Sequence, residues 1–453
     1  MAFNYTYSCY VAILAITTMS FFHSSKASNP ITLPIIKDST KPQYYTTLQL
    51  GTPPTSVSLS IDLSSPWSWF ACNVVGFNTT YYSGVPNSST YRVLRCTNHK
   101  SCAIYDSNNC YNCNFPNCNP KGQMCLGEVY PPYLYTHGSS YGGHTLANLM
   151  VDIITVYKNN DTSSFKKRVF GFPFGCTGID DLKGLSHYTK GVLSLARKGS
   201  NSLHSLISKV FKVPHKFALC LPSSYGPKIN NGVMYFGGGP YKLSPSKINL
   251  SQHFVTTALV TNPVDVGETY EKRNSSIEYF VKLKSILIEG TPLKINSSML
   301  LINKNGLGGT KINPIYPYTT LHTNIYNALT NAFTSKASAM NITRVARASS
   351  FSACFSSNNI VATKTGPKVP NIDLVLEGAN GVWRIYGSNS MIKVSNNVRC
   401  LAFVDGGTTM KASIVIGGKQ MEDNLVEFDL ESSKLRVTSL LLYGTSCSQF
   451  KGP

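Results

Sequence analysis

Alternation of apolar and polar residues dominates the pattern along this chain. Every second residue is apolar between positions 57 and 63, which is the period of a strand with one buried face. The segments 425–430 and 435–442 have the same character on either side of a Ser-Ser pair. Helical spacing of apolar residues is rare and occurs at 203–211 and 325–332. The pattern predicts a mainly β fold with a few short helices.

A weak internal repeat indicates two related lobes. The run YTTLQLGTP ends at Pro53, and the run FVKLKSILIEGTP ends at Pro292, 239 positions later. Each reads as a strand that ends in a Gly-Thr-Pro turn. We place the boundary in the Lys-, Ser-, Pro- and Asn-rich segment 243–278. This predicts an N-terminal lobe over 28–245 and a C-terminal lobe over 246–453, in a chain long enough to divide into domains.

Residues 1–27 have the composition of a signal peptide. An apolar run covers 10–22 and is too short for a membrane span, and the small residue Ala27 suits cleavage after it. No later stretch reaches about 18 uninterrupted apolar residues, so we expect a secreted, extracellular protein with no membrane partner. Twelve of the thirteen cysteines follow the signal peptide, an even number that suits six disulfides. Zinc at the Cys110-x-x-Cys113 pair is the competing interpretation, and we expect neither a metal nor a cofactor.

The surface is predicted to carry glycans and a diffuse positive charge. Seven Asn-X-Ser/Thr sequons start at Asn78, Asn87, Asn160, Asn249, Asn274, Asn296 and Asn341. The net charge of +20 arises from 41 basic and 21 acidic residues, without a run of five basic residues. Such a field favours an acidic partner, either an acidic secreted enzyme or an acidic wall polysaccharide, over nucleic acid.

Several motifs resemble those of the pepsin-like aspartic proteases over residues 42–450. They stand in the order of that family, which makes the set more specific than any one member. The matching runs are IDLSSPWSW at 61–69, YTHGSSYG at 135–142 with the flap tyrosine Tyr135, FGC at 174–176, GVLSL at 191–195, YFGG at 235–238 and IGGKQMEDN at 416–424. The resemblance implies a two-lobed pepsin-like fold with a disulfide-rich insertion in the N-terminal lobe.

The flap run also matches the nucleophile motif of serine hydrolases, with Ser140 as the nucleophile. That motif requires a helix after the turn. The segment 145–156 is rich in β-branched residues and predicts a strand instead. We therefore prefer the flap interpretation and interpret His137 as a loop histidine.

Proteases of this fold need two carboxylates, one from each lobe, that share a proton. Asp62 holds the first position, but Leu63 and Ser64 replace the Thr and Gly of the motif. Counting back from the later YTTL run places Asn313 at the second position, and an amide is neither an acid nor a base near neutral pH. No Asp or Glu occurs in 290–372. The sequence predicts a pseudoenzyme in which Asp62 and Asn313 are relic positions.

A narrower group shares this loss, namely plant proteins related to basic 7S globulin, the xyloglucan-specific endoglucanase inhibitors and the wheat-type xylanase inhibitors. The chain resembles them in the runs GGTKI at 308–312, FSACF at 351–355, WRIYGSNSM at 383–391 and VDGG at 404–407. The resemblance implies the disulfides Cys72–Cys176, Cys220–Cys447 and Cys354–Cys400, with Cys96, Cys102, Cys110, Cys113, Cys118 and Cys125 paired among themselves.

The resemblance also implies how such a protein inhibits an enzyme. In the endoglucanase inhibitors a basic residue after the VDGG turn reaches the paired catalytic carboxylates of a glycoside hydrolase. Lys411 holds that position here where the inhibitors carry Arg, and its ammonium lacks the planar fork of a guanidinium. Arg344 and Arg347 match a second inhibitory loop. Xylanase-directed relatives use a histidine in the later loop, and none follows His322.

We therefore expect a secreted, inactive homologue that binds and inhibits glycoside hydrolases of the endo-β-glucanase type in the plant cell wall. Xylanase is the less favoured target. Two alternatives remain open. One is an aspartic endopeptidase with a variant active site, and the other is a storage, peptide-binding or wall-polysaccharide-binding protein like basic 7S globulin.

Overall fold

The computed structural model describes the chain from residue 31 to residue 449, with gaps. The described ranges are 31–72, 77–80, 83–86, 88–96, 102, 109–113, 122–129, 145–159, 164–198, 202–224, 231–242, 248–266, 275–348 and 350–449. Sequence-predicted features outside them are the signal peptide, Tyr135, His137, Ser140, Cys118, Asn87, Asn160 and Asn274. None of the described helices is long and apolar enough to cross a membrane.

Short strands make up most of the described structure. Those before residue 245 are β1 (Ile31–Lys37), β2 (Tyr44–Leu50), β3 (Thr55–Asp62), β4 (Trp69–Ala71), β5 (Phe77–Thr80), β6 (Ser83–Pro86), β7 (Arg92–Val93), β8 (Asn109–Cys113), β9 (Gly122–Val129), β10 (Thr145–Asn159), β11 (Ser164–Thr177), β12 (Gly191–Ser194), β13 (Lys216–Cys220) and β14 (Gly232–Phe236).

Those after it are β15 (Val255–Val260), β16 (Phe280–Val281), β17 (Leu283–Ile288), β18 (Thr291–Pro292), β19 (Thr310–Ile312), β20 (Thr319–Leu321), β21 (Arg344–Val345), β22 (Cys354–Ser356), β23 (Ala362–Thr363), β24 (Gly366–Pro367), β25 (Ile372–Leu376), β26 (Val382–Ile385), β27 (Met391–Lys393), β28 (Val398–Leu401), β29 (Phe403–Asp405), β30 (Ile414–Ile416), β31 (Asn424–Asp429) and β32 (Lys434–Ser439). The α-helices of the described residues are α1 (Leu203–Phe211), α2 (Thr323–Ala339), α3 (Gly387–Ser390) and α4 (Gly418–Met421). The described chain is therefore mainly β with a few short helices, as the pattern predicts.

The first Gly-Thr-Pro turn joins β2 to β3, which pair antiparallel. Val57, Leu59 and Ile61 of β3 are buried, because alternate side chains of a strand share one face. β12 pairs with β3 in parallel, with Leu193 opposite Ile61. Asp62 is thereby placed at the end of a strand that is hydrogen-bonded to a neighbouring strand on each side.

The C-terminal half repeats this arrangement. β17 leads into the second Gly-Thr-Pro turn, and β19 then pairs with β30 in parallel, with Ile312 opposite Ile416. Asn313 directly follows β19, just as Asp62 ends β3. The internal repeat of the sequence thus corresponds to a repeated strand arrangement.

Strands from both halves join in one sheet. β13 pairs with β31, and β31 pairs with β32, which in turn pairs with β15. Phe217 of β13 stacks on Phe428 of β31 with ring centroids 4.7 Å apart, and a disulfide joins Cys220 to Cys447. The predicted lobe limits at 245 and 246 fall among residues outside the described ranges and stay a prediction.

The helices follow the predicted spacing, whereas one strand ends early. Leu203 and Ile207 of α1 are buried, as are Ile325 and Leu329 of α2. The pattern at 435–442 predicts one strand, but β32 ends at Ser439 and a 3-10 helix covers Leu440–Tyr443. The consecutive residues Leu440 and Leu441 are both buried, which a helical turn achieves and a strand with alternating faces does not.

Further disulfides hold each half together. The structure joins Cys72 to Cys176 and Cys354 to Cys400, the pairings that the resemblance implies. In the N-terminal insertion it joins Cys102 to Cys125, and Cys96 is also disulfide-bonded.

A buried carboxylate near the C-terminus binds residues from the start of the chain. Glu422 lies 2.5 Å from Lys37 Nζ and 2.6 Å from Lys419 Nζ. It also accepts a hydrogen bond of 2.7 Å from the Tyr44 hydroxyl. Lys37 and Glu422 are 3% and 1% exposed, so this cluster fixes the first strands to the C-terminal half in the absence of solvent.

Candidate functional site

Asp62 and Asn313 meet where the two repeats face each other. Asn313 donates a hydrogen bond from Nδ2 to Asp62 Oδ1 across 2.6 Å. The same carboxylate oxygen accepts from the backbone N–H and the hydroxyl of Ser64, each at 2.8 Å. Asn313 Oδ1 accepts from the backbone N–H groups of Leu63 and Ile315 at 3.2 and 3.1 Å. The amide orientation is therefore fixed by both loops.

The Asp62 carboxyl lies in a buried, weakly polar setting. It is 0% exposed, and its Oδ2 accepts no hydrogen bond from the residues that the structure describes. Burial raises the pKa of Asp62 above its ordinary value, although hydrogen bonds from Asn313 and Ser64 act in the opposite direction. The protonated form is favoured because a charged oxygen without a partner is costly to bury.

A cation lies next to this pair and was not singled out by sequence reasoning. Lys311 Nζ is 2.6 Å from Glu278 Oε1. Burial opposes its charge, but Glu278, Tyr316 and Asp62 together outweigh burial and raise the pKa of Lys311. The available signal was a lysine two residues before Asn313, between the buried Thr310 and Ile312 of a short strand. Because Glu278 holds the ammonium, its positive charge only partly offsets the burial of Asp62.

The residues around the relic pair also differ from what proteolysis needs. Leu63 is fully buried, and Ile315 is 5% exposed. Ile315 belongs to an apolar cluster whose other buried members all precede residue 200, among them Trp67 and Trp69. The pepsin-like motif has a permissive glycine at the corresponding position. Here a branched side chain fills the space between the halves.

Lys411 lies in the turn 406–413 between β29 and β30, and its side chain is exposed. The turn is held by its backbone. Gly308 donates its N–H to Lys411 O at 2.7 Å, and Gly406 donates to Leu321 O at 2.8 Å. Thr323 donates its hydroxyl to Asp405 at the end of β29 across 2.7 Å. Lys411 is therefore presented on a turn of fixed shape.

Arg344 and Arg347 are also exposed, on the segment between α2 and β22. Arg344 donates from Nη2 to Ser352 O at 3.4 Å. The Ser352 hydroxyl is 2.6 Å from the hydroxyl of Tyr326, which lies one helical turn after Thr323 on the same face of α2. The first turn of α2 thus contacts both basic segments.

Four predicted glycan acceptors lie within the described residues. Asn296 and Asn341 are exposed, and Asn249 is half-buried. Asn249 and Asn296 each accept a hydrogen bond from the backbone N–H two residues on, at the start of a 3-10 helix. Asn341 adopts a φ of 59°, in the left-handed region that Asn tolerates better than most residues. Asn78 lies in β5.

The chain is similar to several known proteins along nearly its whole length. The xylanase inhibitor N-terminal family model matches residues 44–238, and the xylanase inhibitor C-terminal model matches 278–439. The chain is 39% identical to the probable aspartic proteinase GIP2 of Nicotiana benthamiana, with 98% of both chains covered.

Among solved structures, it resembles edgp, with 38% identity, a TM-score of 0.83 and coverage of 94% of this chain and 98% of that one. It also resembles conglutin gamma, a basic 7S globulin from lupine seeds, with 25% identity, a TM-score of 0.73 and coverage of 93% and 98%. These similarities bear out the pepsin-like fold class expected from the motifs.

Proposed function

Since the chain belongs to the xylanase inhibitor family, whose aspartic-protease-like members include basic 7S globulins, we propose that it is a secreted, catalytically inactive homologue that inhibits glycoside hydrolases. The target class is the endo-β-glucanases of the plant cell wall. The observation that carries the proposal is the exposed Lys411 on a turn of fixed shape. A glycoside hydrolase holds two carboxylates in an open cleft, and an inserted cation blocks both of them.

Loss of catalysis is supported by the chemistry of the relic pair. Proteolysis requires one carboxyl to remain protonated while its partner acts as a base. Asn313 supplies an amide, which cannot exchange a proton near neutral pH. Asp62 alone holds one titratable proton, and its buried setting favours keeping it.

Inhibition is supported by where the basic side chains lie. Lys411, Arg344 and Arg347 are exposed and belong to two segments that contact the first turn of α2. A braced loop loses little conformational freedom when it enters a cleft, so more of the contact energy appears as affinity. A positive net charge speeds encounter with an acidic enzyme.

The endoglucanase preference rests on the later loop. Family members directed at xylanase use a histidine there, and this chain has no histidine after His322. Lys411 provides a point charge in its place. A carboxylate pair accepts such a charge without needing the directional hydrogen bond of an imidazole.

The test is an inhibition assay with the purified mature chain. Secreted endoglucanases and xylanases are titrated with the protein, and the residual hydrolysis of xyloglucan and xylan is measured. We expect tight inhibition of at least one acidic endoglucanase and weaker or no inhibition of xylanases. The proposal fails if no endoglucanase is inhibited while the protein cleaves peptides, because that result supports the variant endopeptidase instead.

A further inference from the structure

One small sheet of the C-terminal half presents basic side chains and no acidic ones. β21, β22, β28 and β27 pair in that order. Neither 341–372 nor 378–404 contains an Asp or Glu. The strands carry Arg344, Lys393 and Arg399, and none of these forms an ion pair with a described residue.

The register places these cations in one row. Arg344 is opposite Phe355, Phe355 is opposite Arg399, and Arg399 is opposite Lys393. Side chains directly opposite each other lie on the same face of a sheet. With strands about 4.8 Å apart, Arg344 and Arg399 are about 10 Å apart, and Lys393 is one strand further. Phe355 between them is 1% exposed and packs against Phe333 of α2, so the two basic sites are connected at the surface only through the turns at the end of these strands.

The row contains a like-charge pair with no internal neutralising group. Lys393 is exposed and Arg399 is half-buried, and they are direct cross-strand neighbours. Like charges in that relation destabilise a sheet. Since the sheet supplies no carboxylate, an external anion is the partner that relieves the repulsion.

The adjoining turns have a different chemistry. The turns at 356–359 and 394–398 read SSNN and VSNNV and lie at the end of the sheet where Arg344, Lys393 and Arg399 stand. They touch each other through the Ser357 N–H, which donates to Asn397 O at 2.9 Å. The exposed side chains of these turns are suited to neutral hydroxyl groups rather than to a second set of charges, and they are Asn358, Asn359, Ser395, Asn396 and Asn397.

A polar groove of about 520 Å³ continues from this end of the sheet. Its polar lining residues are Thr334, Ser338, Asn341, Thr343, Arg344 and Asn359, with Ile342 between them. The volume lies in the usual range for ligand pockets. Arg344 is the one charged residue among those that line it.

We infer that this surface, from the groove to the Lys393–Arg399 pair, binds a linear uronic-acid polysaccharide. Such a polymer carries one carboxylate on each sugar and hydroxyls between the carboxylates. The cations pair with the carboxylates, while the amides and hydroxyls of the turns and the groove bind the sugar hydroxyls. The groove shares Arg344 with the contacts proposed for the enzyme, whereas Lys393 and Arg399 lie outside those contacts, so the test is made on the Lys393–Arg399 pair.

The test measures retention of the mature chain on immobilised polygalacturonate. All proteins are secreted into the oxidising periplasm of a bacterial host that does not N-glycosylate, so that the disulfides form and no glycan at the Asn341 sequon covers the groove. The double variant Lys393→Gln/Arg399→Gln is compared with Lys284→Gln/Lys294→Gln, which removes two exposed lysines elsewhere in the C-terminal half. We expect the first to weaken binding about fivefold to tenfold and the second to change it less than twofold. Lys393→Glu, at an exposed position, gives the same direction of effect without altering the half-buried arginine.

Two further measurements decide the ligand class. A methyl-esterified polymer keeps the hydroxyls and loses the charge, and we expect it to bind weakly. Equal weakening by both double variants would show a diffuse field and overturn the inference, as would equal binding of the esterified polymer. If the Lys393/Arg399 variant instead weakens endoglucanase inhibition and leaves polygalacturonate binding unchanged, the surface belongs to the enzyme contact and the inference is wrong.

Discussion

Asn313 donates its amide hydrogen to Asp62 across 2.6 Å, so the two repeats are joined by a hydrogen bond between a carboxyl and an amide. In a working protease this position has two carboxyls with a shared proton. The bond tolerates either protonation state of Asp62, because Oδ1 acts only as an acceptor. It therefore holds the halves together without providing a base.

We expect no acid proteolysis by the purified chain. Cleavage of a fluorogenic peptide between pH 3 and pH 5, with and without pepstatin, measures this. The triple variant Leu63→Thr/Ser64→Gly/Asn313→Asp should also stay inactive, because Ile315 fills the space between the halves. Adding Ile315→Gly to it tests that reason. Pepstatin-sensitive cleavage by the unmodified chain would contradict the assignment.

The variant Asp62→Asn should lose less stability than the parent when the pH is raised from acidic to neutral. The folded-state pKa of Asp62 is raised by burial, so its contribution to stability is complete below the unfolded pKa of about 3.9 and is lost as the pH rises through the folded pKa. The Asn side chain keeps an oxygen acceptor at the Oδ1 position and does not ionise, so the variant should not lose this stability as the pH rises. Chemical unfolding at pH 4 and pH 7 measures it. Glu377→Gln, at a side chain 55% exposed, serves as the control and should leave the difference between the two pH values unchanged.

Lys411→Ala should weaken binding to an inhibited endoglucanase mainly through faster dissociation. A desolvated charged contact costs about 2–5 kcal/mol when it is truncated. Lys411→Arg should hold or improve affinity, because a guanidinium fork matches a carboxylate pair. Association and dissociation rates at low and high salt measure both effects. An unchanged dissociation rate with slower, salt-dependent association would mean that Lys411 acts only through the general positive field.

His204 should make the fold sensitive to acid. It is buried in α1, donates to or accepts from His215 across 2.8 Å and lies 2.8 Å from Ala196 O. Burial lowers the pKa of His204 to about 3, so its contribution is complete above the unfolded pKa of about 6.5 and is lost as the pH falls. Between pH 7 and pH 4 this amounts to about 3 kcal/mol.

The variant His204→Gln tests this dependence. Its unfolding free energy should change less between pH 7 and pH 4 than that of the parent, although its stability at pH 7 is lower. The exposed His253 offers a matched variant, His253→Gln, which should keep the parent's profile. Identical profiles for all three proteins would refute the role of His204.

Glu422→Gln should be among the most destabilising single changes in the chain. It leaves the ammonium of Lys37, which is 3% exposed, without its carboxylate, and breaking a buried ion pair costs about 3–5 kcal/mol. The double variant Lys37→Met/Glu422→Gln should be less destabilised than the sum of the singles. Denaturant unfolding measures all of them. Lys282→Ala removes an exposed ion pair to Glu377 and should cost at most about 1 kcal/mol.

Local signals explain how much of the fold and of the relic pair could be predicted. The alternation of apolar and polar residues predicts β3, and the two Gly-Thr-Pro turns mark the repeats. The YTTL run after Asn313 identifies Asn313 as the counterpart of Asp62. The insertion of Ile315 among residues of the other half has no local signal, since an apolar residue after proline looks like any buried position. The same holds for Lys37 and Glu422, which lie 385 positions apart. Their pairing exists only once strands from both ends share a sheet.

The disulfide between Cys220 and Cys447 also determines how the molecule would respond to tension applied at its ends. The two cysteines are 227 positions apart, and β13, which contains Cys220, is linked through β14 to β1 at the start of the described chain. Force entering at the first strand and leaving after Cys447 passes through those three strands and the covalent bridge. The C-terminal half carries none of this force. With the disulfide reduced, the same force would instead act on the hydrogen bonds between β13 and β31. Their rupture would release the 227-residue segment between the two cysteines, which is about 770 Å long when extended.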